Sequence, residues 1–253
     1  MPHVLITGAA GGIGRAVAQR FVRAGYSLTL ADLPGRALKE AAASLEAGHV
    51  SGDLTLPDVP AALVDQAWEA GGPVDVLVNA AGLYPSLDMA DVTAQAWDHL
   101  FALNLRAPVL STAAYARQAR RNGTGGCVVN ISSGSALRSR LGGGPYATSK
   151  AALEMATRAA ALELGADGIR VNAVSPGFVP VDSSINPVAP EYAAAISVNP
   201  LGRPGTPSDV AEAVFWLSSL EASWVTGEIL RVDGGSNAGT LHLPRIDEEA
   251  PRS

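Results

Sequence analysis

The chain has 253 residues, 47% of them apolar and only 5% aromatic, with a net charge of −6. This length fits one large α/β domain or two small ones, and scarce aromatics beside abundant Ala and Gly favour close-packed helices over an aromatic-rich β-sandwich. No Lys/Arg stripe is present, which argues against nucleic acid as a partner. The single cysteine, Cys127, excludes an internal disulfide, and no Cys/His spacing suggests a metal. No apolar run approaches the ~20 residues of a membrane span, and the N-terminus enters an apolar run without a charged leader. The expectation is a cytoplasmic protein without a membrane partner.

Short apolar runs alternate with longer helical ones. "HVLIT" (His3 to Thr7) reads as a buried strand, followed by a helix from about Gly12 to Ala24. Ser27 to Asp32 is a second strand, with a helix to about Ala47. His49 to Asp53 is a weaker third, followed by a helix over Pro57 to Ala70. Val74 to Ala80 is a fourth strand, and one long helix is expected over Thr93 to Arg120. Cys127 to Ser132 is the fifth strand, with Cys127 as core filler, and a helix covers Tyr146 to Leu164. Ile169 to Ser175 is the sixth strand. Phe178 to Pro200 is Pro-rich and irregular, a helix spans Pro207 to Leu220, and Glu228 to Asp233 is the last strand.

Near-continuous apolar strands alternating with helices point to an α/β chain with a parallel sheet covered on both faces. Nothing resembles an interdomain linker or a 20–50-residue repeat. Residues 1–236 are read as one domain and 237–253 as a polar tail.

"TGAAGGIG" (Thr7 to Gly14) joins the first strand to its helix. A strict G-x-G-x-x-G is absent, but its physics survives. Gly8 permits a tight turn, Gly12 lets a pyrophosphate approach the backbone, and Gly14 lets the helix pack close. N–H groups at the helix start then face the anion. Asp32 ends the second strand, where a dinucleotide fold carries an acid for the adenosine ribose. A carboxylate there accepts from both ribose hydroxyls and repels a 2′-phosphate, so NAD is preferred over NADP. Arg36 is the one nearby cation that opposes this preference.

"PYATSK" (Pro145 to Lys150) sets a phenol and an ammonium four residues apart, on one helical face. A free tyrosine has a pKa of about 10, and bringing it to about 7 takes about 4 kcal/mol. One ammonium at ~4 Å and an effective dielectric of ~20 supplies about that much. Lys150 is therefore expected to make Tyr146 an acid/base at neutral pH. Ser133 lies just past the fifth strand, where ligands bind in open α/β sheets, and can hold a substrate oxygen near that phenol.

The motifs "TGAAGGIG", "GDLT", "NAAG", "FALNLRAP", "VVNISS", "YATSK", "IRVNAVSPG" and "VDGG" occur together in this order, from His3 to about Ser236. In this the chain resembles the short-chain dehydrogenases/reductases. The resemblance implies a Rossmann-type, doubly wound, seven-stranded parallel sheet, a homotetramer or homodimer, and hydride transfer between NAD(P) and an alcohol/ketone pair. Carried over by position, Asn104, Ser133, Tyr146 and Lys150 match the catalytic tetrad, with Asn104 holding a water that links Lys150 to solvent. Gly8, Gly11, Gly12, Ile13 and Gly14 line the pyrophosphate, Asp32 binds ribose, and Asp53 and Leu54 meet the adenine. Asn79, Ala81 and Gly82 support the sheet end beside the cofactor, and Pro176, Gly177 and Val179 lie beside the nicotinamide. Two positions depart from the family pattern. Ala80 replaces a frequent Asn, and Val181 replaces a Thr whose hydroxyl would touch the carboxamide or a phosphate.

The expected substrate is a neutral secondary alcohol or a cyclic polyol or ketone, lined by Leu83 to Leu87, Gly134 to Gly144 and Phe178 to Pro200. Arg138 and Arg140 read as solvated loop residues, although either could meet a carboxylate. Trp68, Trp97, Trp216 and Trp224 read as packing residues. The rival functions are a non-catalytic dinucleotide-binding redox sensor on the same fold and a nucleotide-sugar epimerase or dehydratase. The latter usually carries a larger C-terminal substrate domain, for which this chain has little room.

Overall fold

Seven strands form one all-parallel sheet in the order β3-β2-β1-β4-β5-β6-β7, in a computed structural model that describes residues 1–181, 190–196 and 198–241. The strands are β1 His3–Thr7, β2 Ser27–Asp32, β3 Gly48–Ser51, β4 Val76–Asn79, β5 Gly126–Ile131, β6 Ile169–Pro176 and β7 Ile229–Val232. The helices are α1 Gly12–Arg23, α2 Arg36–Ser44, α3 Val59–Gly71, α4 Ala94–Phe101, α5 Ala107–Asn122, α6 Gly144–Leu164, α7 Pro190–Ile196 and α8 Pro207–Ser218. β1 runs beside β2 on one side and β4 on the other. The chain therefore winds outward from β1 to β3 and then restarts at β4 in the opposite sense. That reversal opens a crevice at the carboxyl ends of β1 and β4, where ligands bind in such sheets.

The expected α/β architecture, covered on both faces, is present. Alternate strand residues point to opposite faces. Val4, Ile6, Val76, Val78 and Val129 meet Val17 and Phe21 of α1 and Val210 and Val214 of α8. Leu5, Leu77, Val128 and Val171 meet Leu63 of α3, Ala114 and Tyr115 of α5 and Ala161 of α6. Cys127 is buried on the first of these faces, as its apolar neighbours predict.

Three elements differ from the sequence reading. The expected helix over Thr93 to Arg120 is divided. α4 ends at Phe101, a π-helical turn spans Ala102–Arg106, and α5 begins at Ala107. The cause lies in Pro108. It has no N–H to offer the carbonyl of Asn104 four residues back, and its ring crowds that carbonyl, so the chain widens by one residue before the helix resumes. β3 starts at Gly48 and ends at Ser51, because Asp53 is drawn into a turn by the backbone and hydroxyl of Thr55, at 2.9 and 2.7 Å. Within the Pro-rich stretch read as irregular, Pro190–Ile196 is helical; residues 182–189 and 197 lie outside the described residues, as do residues 242–253 of the tail. Trp224 does not pack as expected: it is 98% exposed.

Tyr115 crosses beneath the sheet and donates its hydroxyl to the carbonyl of Asp75 at 2.9 Å. A Cβ on Gly126 would overlap that hydroxyl and lie 2.8 Å from the same carbonyl. Gly126→Ala is therefore expected to destabilise the protein by about 2–3 kcal/mol through overpacking and loss of this bond. Urea unfolding measures this, and an unchanged midpoint would show that the Tyr115 contact bears no weight.

Candidate active site

The glycine loop closes on itself as its spacing predicts. Gly8 has φ +65°, and a Cβ there would lie 2.7 Å from the backbone of Ala81. A Cβ on Gly14 would overlap the carbonyl oxygen of Gly8, so only glycine lets α1 start this close to the loop. The N-cap of α1 is Gly11, with no side-chain cap and no acid in the first turn. No acidic side chain of α1 competes for its first-turn N–H groups, which suits a pyrophosphate. Ile13 packs against the core below. Val181 reaches over the loop, with Cγ1 3.5 Å from where a Cβ on Gly12 would lie. The position where the family often has a hydroxyl thus offers an apolar contact to this loop.

Asp32 stands at the end of β2, beside this loop. Its carboxylate accepts from the backbone N–H of Ala10 at 2.9 Å and of Leu33 at 2.8 Å. Arg36 is turned to the surface, paired with Glu40 at 2.6 Å. The carboxyl of Asp53 is committed to Thr55, and that hydroxyl bond is the main reason its pKa is lowered. Adenine contact at this position would fall to the backbone and to Leu54, which is buried.

From the loop the site continues through Asn79, Ala81 and Gly82. Thr7 Oγ1 accepts from the N–H groups of Ala80 and Ala81 at 3.1 and 3.3 Å. This pins the segment without the second family Asn. Asn79 donates to Asn130 Oδ1 at 2.9 Å, and Asn130 donates in turn to Thr157 at 2.9 Å. A Cβ on Gly82 would sit 3.4 Å from Asn104 Oδ1 and 3.5 Å from Lys150 Nζ. Gly82 is thus where the cofactor loop and the Tyr/Lys helix approach each other.

Asn104 is fully buried in the π-turn. Its amide brackets Leu83, accepting from the backbone N–H at 2.9 Å and donating to the carbonyl at 2.8 Å, and it also donates to Ser149 Oγ at 3.2 Å. Lys150 is 5% exposed, and its ammonium donates to the carbonyl of Ile131 at 2.9 Å, the last residue of β5. It lies 5.9 Å from the centroid of the Tyr146 ring. The Tyr146 ring meets that of Tyr84 edge-on at 6.2 Å between centroids.

The electrostatics differ from the sequence expectation. Burial raises the pKa of Tyr146, and the hydrogen bond with Ser133 pulls it back only in part. Lys150 is itself pushed down to about 8 by burial. An ammonium shielded from water is partly neutralised near its own pKa, and here it donates to the Ile131 carbonyl rather than to the phenol. Tyr146 therefore holds its proton at neutral pH in the protein alone.

Three further residues belong to this region, two of them within the stretches expected to line the substrate. Arg140 is exposed on its loop, as expected, and reaches back toward the start of α6, with Nε 3.4 Å from where a Cβ on Gly143 would lie; its charge lowers the Tyr146 pKa. Tyr84 stands against the phenol itself. Asn237, placed at the start of the tail, sets its amide 2.7 Å from the Cβ position of Gly134, next to Ser133, and is tied to Asp233 at 2.8 Å. Arg138 instead donates to the Ser236 carbonyl. Gly177 abuts Asp233, with its Cβ position 2.8 Å from that residue's Cα, and Val179 packs against Gly205. Pro176 ends β6 alongside.

Residues 8–237 match the family model described as enoyl-(acyl carrier protein) reductase. The cis-4-hydroxycyclohexanecarboxylate dehydrogenase of Sinomonas cyclohexanicum is 36% identical over 239 residues, covering 92% of this chain and 96% of that protein. The L-tagatose-forming galactitol 2-dehydrogenase of Cereibacter sphaeroides is 35% identical, covering 91% of this chain and 92% of that protein. The solved structure of a 4-hydroxyisoleucine dehydrogenase complexed with NADH superposes with a TM-score of 0.84 at 27% identity, covering 95% of this chain and all of that one. The chain belongs to the short-chain dehydrogenase/reductase family. It is an NAD(P)-dependent oxidoreductase that acts on the CH–OH group of alcohols and on the corresponding ketones.

Lys150 binds its proton less tightly in the folded chain, at about 8, than an ordinary solvated lysine does, at 10.5. Between these values the unfolded chain holds more protons, so unfolding becomes harder as pH rises. From pH ~8 to ~10, wild type should gain about 2–3 kcal/mol of stability relative to Lys150→Met. Urea unfolding of both proteins across this window measures the difference; a constant gap would mean that the lysine is not desolvated.

Proposed function

We propose that this protein is an NAD-preferring dehydrogenase/reductase of secondary alcohols and ketones in which Tyr146 is the general acid/base. The observation that carries the reading is the convergence of Tyr146, Ser133 and Lys150 at the end of β5, joined through Gly82 to the glycine loop. In this reading Ser133 holds the substrate oxygen against the phenol, and Tyr146 gives its proton to that oxygen in reduction or takes it in oxidation. A half-buried phenol that keeps its proton suits the reductive direction. In the oxidative direction the ammonium of Lys150 lowers the cost of leaving a negative charge on the phenol oxygen. When bound, NAD(P) supplies the two-electron acceptor or donor.

Asn104 fixes Leu83 through both backbone groups, and its own carbonyl is denied an α-helical partner by Pro108. A water on that carbonyl would connect Lys150 to solvent. Gly8, Gly11, Gly12 and Gly14 would cradle the pyrophosphate. Asp32 would accept from the ribose hydroxyls, and Arg36, the nearby cation that could reward a 2′-phosphate, is paired with Glu40 instead. Pro176, Gly177 and Val179 would flank the nicotinamide. A non-catalytic redox sensor would have no use for a phenol, a hydroxyl and a buried ammonium brought to one point.

The substrate reading is a small cyclic or polyol-type secondary alcohol or its ketone. The two relatives described above are dehydrogenases of a hydroxycyclohexanecarboxylate and of galactitol, and Arg140 near the phenol favours the former kind, with a carboxylate remote from the carbinol. The cytoplasm is the expected compartment; among the described residues no helix is long and apolar enough to cross a membrane. A homotetramer or homodimer is the expected assembly, since α5 and α6 present Val109, Met155 and Leu162 to solvent.

Tyr146→Phe should lower kcat by roughly 10²–10⁴-fold while NADH binding, followed by fluorescence titration, is unchanged. Equal activity of the two proteins would remove Tyr146 from the chemistry, and wild type that binds NADH yet turns over no alcohol or ketone would favour the sensor. Asp32→Ala should narrow the preference for NAD over NADP by about tenfold or more, the equivalent of one charge-assisted hydrogen bond of about 1.5–3 kcal/mol. Measuring kcat/KM with each cofactor checks this, and an unaltered ratio would take the ribose role away from Asp32.

A further inference from the structure

Glu154 is a buried carboxylate that the mechanism above does not use. It is 5% exposed and lies on α6, one turn beyond Lys150 and two beyond Tyr146, so all three share a helical face. Its Oε1 accepts from the hydroxyl of Ser132 at 2.8 Å, and Ser132 is itself 3% exposed. Ser132 immediately precedes Ser133. Its backbone N–H donates to the Val174 carbonyl at 2.7 Å, which holds it to β6.

The exit of β5 is thus engaged residue by residue by one face of α6. Asn130 bonds Thr157, the Ile131 carbonyl accepts from Lys150, Ser132 bonds Glu154, and Ser133 interacts with Tyr146. Packing alone does not account for a glutamate here. Burying a carboxylate is costly, and an aliphatic side chain of similar volume would often be neutral or better for stability. What a carboxylate provides and leucine does not is a directional acceptor that fixes where the Ser132 hydroxyl points. The demand at this spot is specific. Ser175, one step beyond the paired residues Ile131 and Val174, is 1% exposed, and its hydroxyl has no partner among the described residues. Without Glu154, two neighbouring buried hydroxyls would lack an acceptor.

We propose that Glu154 is a positioning residue: through Ser132 it sets the backbone that aims Ser133 at the substrate oxygen. The inference rests on the role given to Ser133 above. Unlike Lys150, Glu154 acts by geometry and touches neither substrate nor cofactor.

The test is steady-state oxidation of a cyclic secondary alcohol with NAD⁺ by wild type, Glu154→Leu, Glu154→Gln, Ser132→Ala, the Ser132→Ala/Glu154→Leu double variant and Ser133→Ala. Fluorescence titration with NADH accompanies each. Glu154→Leu should lose roughly 10- to 100-fold in kcat, the scale on which small misplacements act, with NADH affinity and the KM for NAD⁺ unchanged. Glu154→Gln keeps an oxygen acceptor and should restore most of that loss. Ser132→Ala should match Glu154→Leu, and the double variant should be no worse than either, because both break one contact. An unimpaired Glu154→Leu, a Glu154→Gln as poor as the leucine variant, or additive losses would each overturn the proposal. If Glu154→Leu does not fold, Ser132→Ala decides in its place, since it removes the same bond with the loss of one oxygen; wild-type kcat in that variant overturns the idea. An active Ser133→Ala would instead refute the role of Ser133, whereas an inactive Ser133→Ala beside an unimpaired Ser132→Ala refutes only the positioning.

Discussion

The ammonium of Lys150 on the carbonyl of Ile131 holds the site together. A parallel strand ends with carbonyl groups that have no further neighbour to bond. A buried one must find a donor or lose several kcal/mol of hydration. Here the donor comes from the middle of α6, so satisfying the end of β5 also fixes the rotation and height of that helix. Tyr146, one turn earlier, is then delivered to Ser133 without any contact of its own having to bear the load. The cost falls on the lysine, which burial brings down to about 8. An arginine would retain its charge there, but its planar fork does not match a single carbonyl, and it would not titrate in the range where a proton must move.

The second constraint is the widened turn at Ala102–Arg106. A regular helix from Thr93 onward would bond the Asn104 carbonyl internally. Pro108 removes that possibility, and the side-chain amide of Asn104 is free to grip Leu83 from both sides. The segment after β4 is thereby held between Thr7, which collects the N–H groups of Ala80 and Ala81, and Asn104. This explains how the chain manages with Ala80: the hydroxyl of Thr7 and the Asn79–Asn130 bond already stabilise the segment.

Much of this was legible in the sequence because the signals are local. Strand burial, the glycines of Thr7 to Gly14 and the Tyr/Lys spacing each follow from a few neighbouring residues. What escaped was whatever depends on two segments meeting. Glu154 looks like an ordinary helix glutamate until Ser132 is placed beneath it. Arg140 is the exposed loop residue its surroundings suggest, but only the turn through Gly143 reveals that its charge is brought back toward the start of α6. The division of the long helix was readable in principle, from the proline four residues after Asn104, but the apolar periodicity on either side masked it. Trp224 shows the opposite error: its residue type argues for burial, yet the fold sends it outward after α8.

The direction in which Tyr146 is shifted changes how the site should be understood. Charge proximity alone suggested a phenol acidified at rest, yet both partners sit in a medium that penalises charge, and desolvation acts on the ammonium as well as on the phenolate. The resting state is therefore a protonated phenol, with Lys150 held near its titration point. A pair arranged this way responds strongly to an added positive charge, because in a poorly solvated site the Coulomb energy of each new neighbour is large. Arg140 already contributes such a charge. The proton of Tyr146 is thus governed by the charges placed around it as much as by its own burial.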